Sequence, residues 1–217
     1  MKLKRIVYAC LLAAGCLNAS AQATTATEDA FNAHWYVQAQ GGAQYNVGEV
    51  KFGKLITPNV QLAGGYQFTP VWGLRLAVNG WQSKAGSKIG SNTYKWDWKY
   101  VAPSLDLTIN LSNALCGFNP NRVFNFGVFV GVGANVAFSN DGAADAKAAM
   151  NQTYGASSLE YLWDGTKVNF LAQGGITADF KLSDKVSLGL EVNANTLSDK
   201  YNSKKAGNWD WYFNALA

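Results

Sequence analysis

The feature that most constrains this chain is a two-residue alternation of apolar and polar side chains, sustained over segments of about 10 to 15 residues. Successive side chains of a β-strand point to opposite faces, so such a segment has one apolar and one polar face. From Trp35 to Tyr45 the odd positions read Trp35, Val37, Ala39, Gly41, Ala43 and Tyr45, against Tyr36, Gln38, Gln40, Gly42 and Gln44. The pattern returns from Pro58 to Phe68, where Val60, Leu62, Gly64, Tyr66 and Phe68 oppose Asn59, Gln61, Ala63, Gly65 and Gln67. The fifth segment is the clearest, with Phe124, Phe126, Val128, Val130, Val132, Ala134, Val136 and Phe138 all apolar. Further strands are predicted from Leu74, over 101–111, 168–180 and 186–195, and from Trp209 onward, giving eight. An ordinary strand has five or six residues. A tilted strand that crosses the apolar layer of a bilayer needs about 9 to 11.

The links alternate in length. A tight turn is predicted at Thr69-Pro70-Val71-Trp72-Gly73, where the proline presets φ and the glycine releases it. Another turn spans Lys181 to Lys185. A polar loop is expected from about Gln82 to Lys95, and the longest link runs from Ser139 to Thr166 with an Ala-rich, helix-forming stretch from Asp141 to Met150. Long loops at one end and short turns at the other are the outer-membrane arrangement, with both termini periplasmic.

The N-terminus fits export. Lys2, Lys4 and Arg5 precede an apolar stretch from Ile6 to Leu17, and Ala19-Ser20-Ala21 offers small residues for cleavage, so residues 1–21 are expected to be a signal peptide and 22–217 a single barrel domain. The alternative is lipoprotein processing at Cys16. Removing the leader takes three positive charges from a net +4, leaving a nearly neutral chain with no electrostatic footprint for nucleic acid. Two of the three cysteines also lie in the leader, which excludes a disulfide-rich scaffold. No window after residue 22 holds the run of about 18 apolar residues a membrane helix requires.

A sheet in hydrocarbon must close on itself, because an open edge leaves backbone N–H and C=O groups without partners. The expectation is therefore an all-β, eight-stranded, antiparallel, up-and-down transmembrane β-barrel. Eight strands enclose a narrow interior that side chains fill. The glycine- and amide-rich faces suit that interior, and the Phe, Val, Leu and Ile faces suit lipid. A soluble calyx would reverse the two, and its water-facing sheet would carry many more Lys and Glu than the sparse Arg75, Asp106, Asp179, Glu191 and Asp210.

Two sets of residues follow. If Trp81 faces Tyr100 in the hairpin of strands three and four, Arg75 faces Asp106 on the inner surface, and a lumen ion pair with Glu191 as second acceptor is expected. Trp35, Tyr45, Phe68, Trp72, Trp96, Trp98, Phe180, Trp209 and Trp211 are expected as interfacial aromatics.

The run from Trp35 to Trp81, with Gly41-Gly42, Gly64-Gly65-Tyr66, Thr69 to Arg75 and Trp81, resembles the N-terminal barrel of OmpA-like outer-membrane proteins, and Asn208 to Ala215 looks like the closing strand of such barrels. The resemblance covers essentially the whole mature chain and implies a Gram-negative outer-membrane location. Members of that family usually continue into a peptidoglycan-binding domain. Strand eight is still running at Ala217, without the terminal aromatic read by barrel-assembly machinery, so either the sequence is a fragment or strand eight is short. Contact with peptidoglycan is expected only with such a further domain.

The function expected from these features is structural, with four surface loops, the bilayer and the assembly machinery as partners, and no cofactor. A small channel or a ligand-binding barrel is the alternative. No enzyme is expected. His34 is the only histidine and lies at the periplasmic end, and one imidazole with so few thiols makes no metal cluster. Gly131-Val132-Gly133 sits mid-strand with no helix after it, which rules out a phosphate loop. In detergent gels the folded protein should migrate differently from the boiled one; identical mobility would exclude a detergent-resistant barrel.

Overall fold

The computed structural model describes residues 31–217 except 49, 90, 155–160 and 204–206; the expected leader and its cleavage site lie outside the described residues. The strands are β1 (His34–Asn46), β2 (Ile56–Gln67), β3 (Trp72–Ile89), β4 (Asn92–Asn110), β5 (Phe124–Phe138), β6 (Lys167–Lys181), β7 (Ser187–Leu197) and β8 (Asp210–Leu216). Each pairs antiparallel with its neighbour, and β8 returns to β1, so the chain is an eight-stranded up-and-down barrel. No helix among the described residues is long and apolar enough to cross a membrane.

Burial alternates along the strands as the sequence pattern does. On β2 the residues Thr57, Asn59, Gln61 and Ala63 are buried while Val60 and Leu62 are exposed. On β3 the residues Arg75, Ala77 and Asn79 are buried between exposed Leu74, Leu76 and Val78. The apolar face therefore points outward and the polar face inward, the reverse of a soluble calyx. Trp35, Phe68, Trp72 and Phe180 are exposed around the lower rim, where the chain enters β1. Trp209 and Trp211 are exposed near the upper rim, where Tyr45 packs its ring 4.5 Å from that of Phe52.

Three expectations need correction or detail. The polar loop expected at Gln82–Lys95 is strand: β3 runs to Ile89 and β4 resumes at Asn92, paired residue by residue from Gln82↔Lys99 to Ile89↔Asn92. The alternation continues there, with Ser83, Ala85 and Ser87 inside and Lys84, Lys88, Lys95 and Lys99 outside, so polar composition alone concealed a hairpin that stands above the apolar belt. Trp96 and Trp98, expected at the lipid interface, are instead buried inside the barrel at 2% and 0% exposure. They share the even-numbered face of β4 with Tyr100, Ala102 and Asp106, and strand parity overrides the interfacial preference of the indole. The Ala-rich stretch forms a helix, α2 (Asp141–Tyr154), longer than expected, after a short helix α1 (Leu111–Cys116) in a lower link.

Bilayers containing brominated lipids separate the two tryptophan classes. A variant retaining only Trp72 is expected to lose most of its fluorescence on contact with the bromine, and one retaining only Trp98 to keep it. Equal quenching of both would contradict the inward placement of Trp98.

Candidate functional site in the barrel lumen

The lumen is built in tiers from the inward faces of all eight strands. At mid-height lies an ionic tier. The register pairs Trp81 with Tyr100 and Arg75 with Asp106. Arg75 Nε donates to Asp106 Oδ2 at 2.9 Å, and Nη1 donates to Glu191 Oε2 at 2.6 Å across the barrel. The guanidinium also lies 4.3 Å from the centre of the Phe129 ring. All three ions are buried, at 2%, 0% and 1% exposure. Charges this far from water need every lone pair and proton engaged. Gln173 Nε2 donates to Asp106 Oδ1 at 2.6 Å, while Asn193 Nδ2 and Gln61 Nε2 donate to Glu191 Oε1 at 3.0 and 3.3 Å.

Two glycines make this tier fit. A Cβ at Gly131 would collide with the Asp106 carboxylate, and one at Gly175 would lie 2.7 Å from the Phe129 ring. Gly131 thus has a packing role in the middle of β5, which accounts for the Gly131-Val132-Gly133 sequence without any phosphate chemistry.

Above the ions is an amide tier. Asn59 Nδ2 donates to Asn214 Oδ1 at 3.0 Å, Asn79 Nδ2 to Asn59 Oδ1 at 2.6 Å, and the Tyr100 hydroxyl to Asn79 Oδ1 at 2.7 Å. Gln44 and Asn46 both donate to Ser83 Oγ, at 2.8 and 2.6 Å. Higher still is an aromatic tier. Trp98 meets Tyr201 and Trp163 edge-on at 5.1 and 6.1 Å, and Tyr100 meets Tyr212 at 5.8 Å. Helix α2 contributes buried Ala143, Ala146 and Met150 to the same cluster. The upper links are tied to it by Trp163 Nε1, which donates to Tyr201 O at 3.0 Å, and by Asn140 Nδ2, which donates to Trp163 O at 3.1 Å. Burial pushes the Tyr201 hydroxyl up to about 12, so it stays a neutral packing group near neutral pH.

Below the ions the lumen opens as a vestibule of about 960 Å³, lined by Tyr36, Gln38, Thr108, Asn125, Asp179 and Arg122 among others. Arg122 is held by Asn113 Oδ1 at 2.8 Å and Gly117 O at 2.9 Å. His34 stands exposed at this lower end, its Nδ1 2.8 Å from Asn32 O. Among the described residues no cluster of His, Cys, Asp and Glu could hold a metal ion.

The structure thus brings Arg75, Asp106 and Glu191 together, places Trp35, Tyr45, Phe68, Trp72, Phe180, Trp209 and Trp211 on the outer surface, and takes Trp96 and Trp98 into the lumen. Sequence reasoning missed Phe129, Gln173, Tyr100, Tyr201 and Tyr212. A signal existed for three of them, since Phe129, Tyr100 and Tyr212 are large aromatics on otherwise polar strand faces.

No family model and no curated protein sequence matches the chain. Among solved structures, the fold is similar to that of Neisserial surface protein A, with a TM-score of 0.54 at 12% identity over 86% of this chain and 96% of that one. Ail, the attachment invasion locus protein of Yersinia pestis, aligns with a TM-score of 0.45 at 10% identity over 86% of this chain and 96% of that one.

Replacing Arg75 by Met leaves two buried carboxylates without a cation and is expected to cost about 3–5 kcal/mol of stability. Adding Asp106→Asn and Glu191→Gln should recover most of that loss, because neutral amides can still bond to Gln173 and Asn193. An unchanged thermal midpoint for Arg75→Met in detergent would contradict a structural role for the tier. The likeness to Neisserial surface protein A shows that the chain has the architecture of an eight-stranded outer-membrane-type barrel.

Proposed function

We propose that this chain is a structural outer-membrane protein: a closed, non-catalytic barrel that carries four upper connections on a membrane-spanning wall. The observation that carries the reading is the pairing of an apolar outer surface with a lumen filled by ionic, amide and aromatic tiers. Exposed Leu62, Leu76, Leu105, Val130, Phe170 and Leu190 belong in lipid, since a water-facing sheet of this size would expose a very large apolar patch. The ring of eight strands meets the requirement that backbone groups in hydrocarbon be paired.

The tiers speak against conduction. From the Arg75 layer up to Trp98, inward side chains are buried and interlocked, and α2 packs onto the upper cluster. The vestibule is open below, but the ionic tier closes it from above. A signal peptide would bring the chain to the assembly machinery, and the long outer connections would meet the environment. Absence of catalysis is part of the same reading: the lone His34 lies at the exposed lower rim beside Asn32 and Phe31, remote from the filled tiers.

Planar-bilayer recording tests this. The purified barrel is expected to give no steady, ion-selective openings, and substitution of Trp98 or Tyr100 by Ala should raise leak conductance before it abolishes folding. Steady openings from the unmodified protein would replace the structural reading with that of a small channel.

A further inference from the structure

The outer face of the β3–β4 hairpin changes character abruptly with height. On β4 the outward side chains read Leu105, Pro103 and Val101, and then Lys99, Asp97 and Lys95. On β3 they read Leu76 and Val78 and then, above Gly80 and Gln82, Lys84 and Lys88. The register sets Gln82 beside Lys99, Lys84 beside Asp97 and Gly86 beside Lys95, so the lysines form one ladder across two strands. At about 3.4 Å per residue, Lys99 stands only about 7 Å above Val101, and the ladder rises about 13 Å from Lys99 to Lys95.

The link between β1 and β2 widens this patch. Asn46 Nδ2 donates to Lys84 O at 2.8 Å. A Cβ at Gly86 would lie 2.7 Å from Val50 Cγ2 and 3.5 Å from Lys95 Cγ. The link therefore packs against the hairpin and carries Lys51 and Lys54 beside the ladder. Lys51, Lys54, Lys88, Lys95 and Lys99 are exposed, and Lys84 is half-buried. Asp97 is the only acid described on this face, and its Oδ2 already accepts from Gln82 Nε2 at 2.6 Å. Among the described residues none of the six lysines forms an ion pair. Asp145, Asp164, Asp199 and Asp210, also at the upper end, belong to α2 and to the flanks of β6, β7 and β8.

We infer that the lysine ladder binds the phosphate headgroup of an anionic lipid in the leaflet at the upper rim. Ammonium groups gathered without counter-ions repel one another, and an anion set among them relieves that repulsion. The place of the ladder selects a lipid over a free anion. Lysine stems lie along apolar surface while their ammonium groups reach into the polar layer. Directly beneath them, exposed Val78, Val101 and Leu105 offer a strip along which the acyl chains of the same molecule can run. A soluble phosphate would meet the charges and leave that strip untouched. The inference rests on the membrane reading proposed above; a barrel that shows the folded gel shift but no lipid preference overturns this inference alone.

The test is native mass spectrometry of the folded full chain in detergent, titrated with dioleoylphosphatidic acid or dioleoylphosphatidylcholine. Each lysine near an anionic lipid is worth up to roughly fivefold in affinity, so phosphatidic acid is expected to bind about tenfold or more tightly than phosphatidylcholine. Lys84→Gln, Lys95→Gln and Lys99→Gln together should bring the two lipids to within about twofold of each other, with the gel shift and phosphatidylcholine binding unchanged. Lys147→Gln, Lys181→Gln and Lys185→Gln remove the same charge elsewhere and should leave the preference intact. Asp97→Asn should strengthen phosphatidic acid binding about two- to threefold, an effect that damage to the fold would not produce. Equal binding of the two lipids by the unmodified protein, an equal loss in the control triple variant, or displacement of phosphatidic acid by inorganic phosphate at the same concentration would each overturn the inference.

Discussion

A buried peptide group left without a hydrogen-bond partner is costly, and that single constraint organises this protein. Each strand must find partners on both edges, which for a sheet means closure into a ring. Closure by eight strands then sets a narrow interior lined by the polar faces, and leaves the apolar faces outside, where the proposed membrane setting would meet them with lipid.

A narrow lumen lined by polar faces raises a second problem, since its side chains are shielded from bulk water. Polar groups in such a place must satisfy one another. The chain meets this with amides, which donate and accept together, and with one guanidinium set between two carboxylates. The balance is tight sterically as well as electrostatically. Asp106 can reach Arg75 only because residue 131 has no side chain, and Phe129 can lie under the guanidinium only because residue 175 has none. Filling from the ionic tier upward leaves free volume at the lower end, where the vestibule opens beside the start of β1.

Much of the barrel was legible in the sequence because the signal is repeated on every strand. Period-two alternation from Trp35, Pro58, Phe124 and Val168 gives strand number, direction and faces without any contact information. The facing of Arg75 and Asp106 was also legible, because a hairpin register once pinned at Trp81 and Tyr100 carries down the ladder residue by residue. Two things misled. Polar composition from Gln82 to Lys95 reads as loop although its alternation persists, since strand extending above the apolar belt has no need of an apolar face. The residue type of Trp96 and Trp98 suggests an interface, whereas their parity with Asp106 puts them inside.

The sequence by itself determined the covalent and local terms: which faces are apolar, how long the strands run, and where charge can enter the lumen. Those follow from side-chain alternation, a property of the strand alone. Only the tertiary structure decided what meets across the barrel. Arg75 reaches Glu191 although 116 positions separate them. Trp98 meets Tyr201 and Trp163 edge-on, and these come from two different upper links. Such contacts depend on ring closure and on the stagger between strands, and no local pattern encodes either.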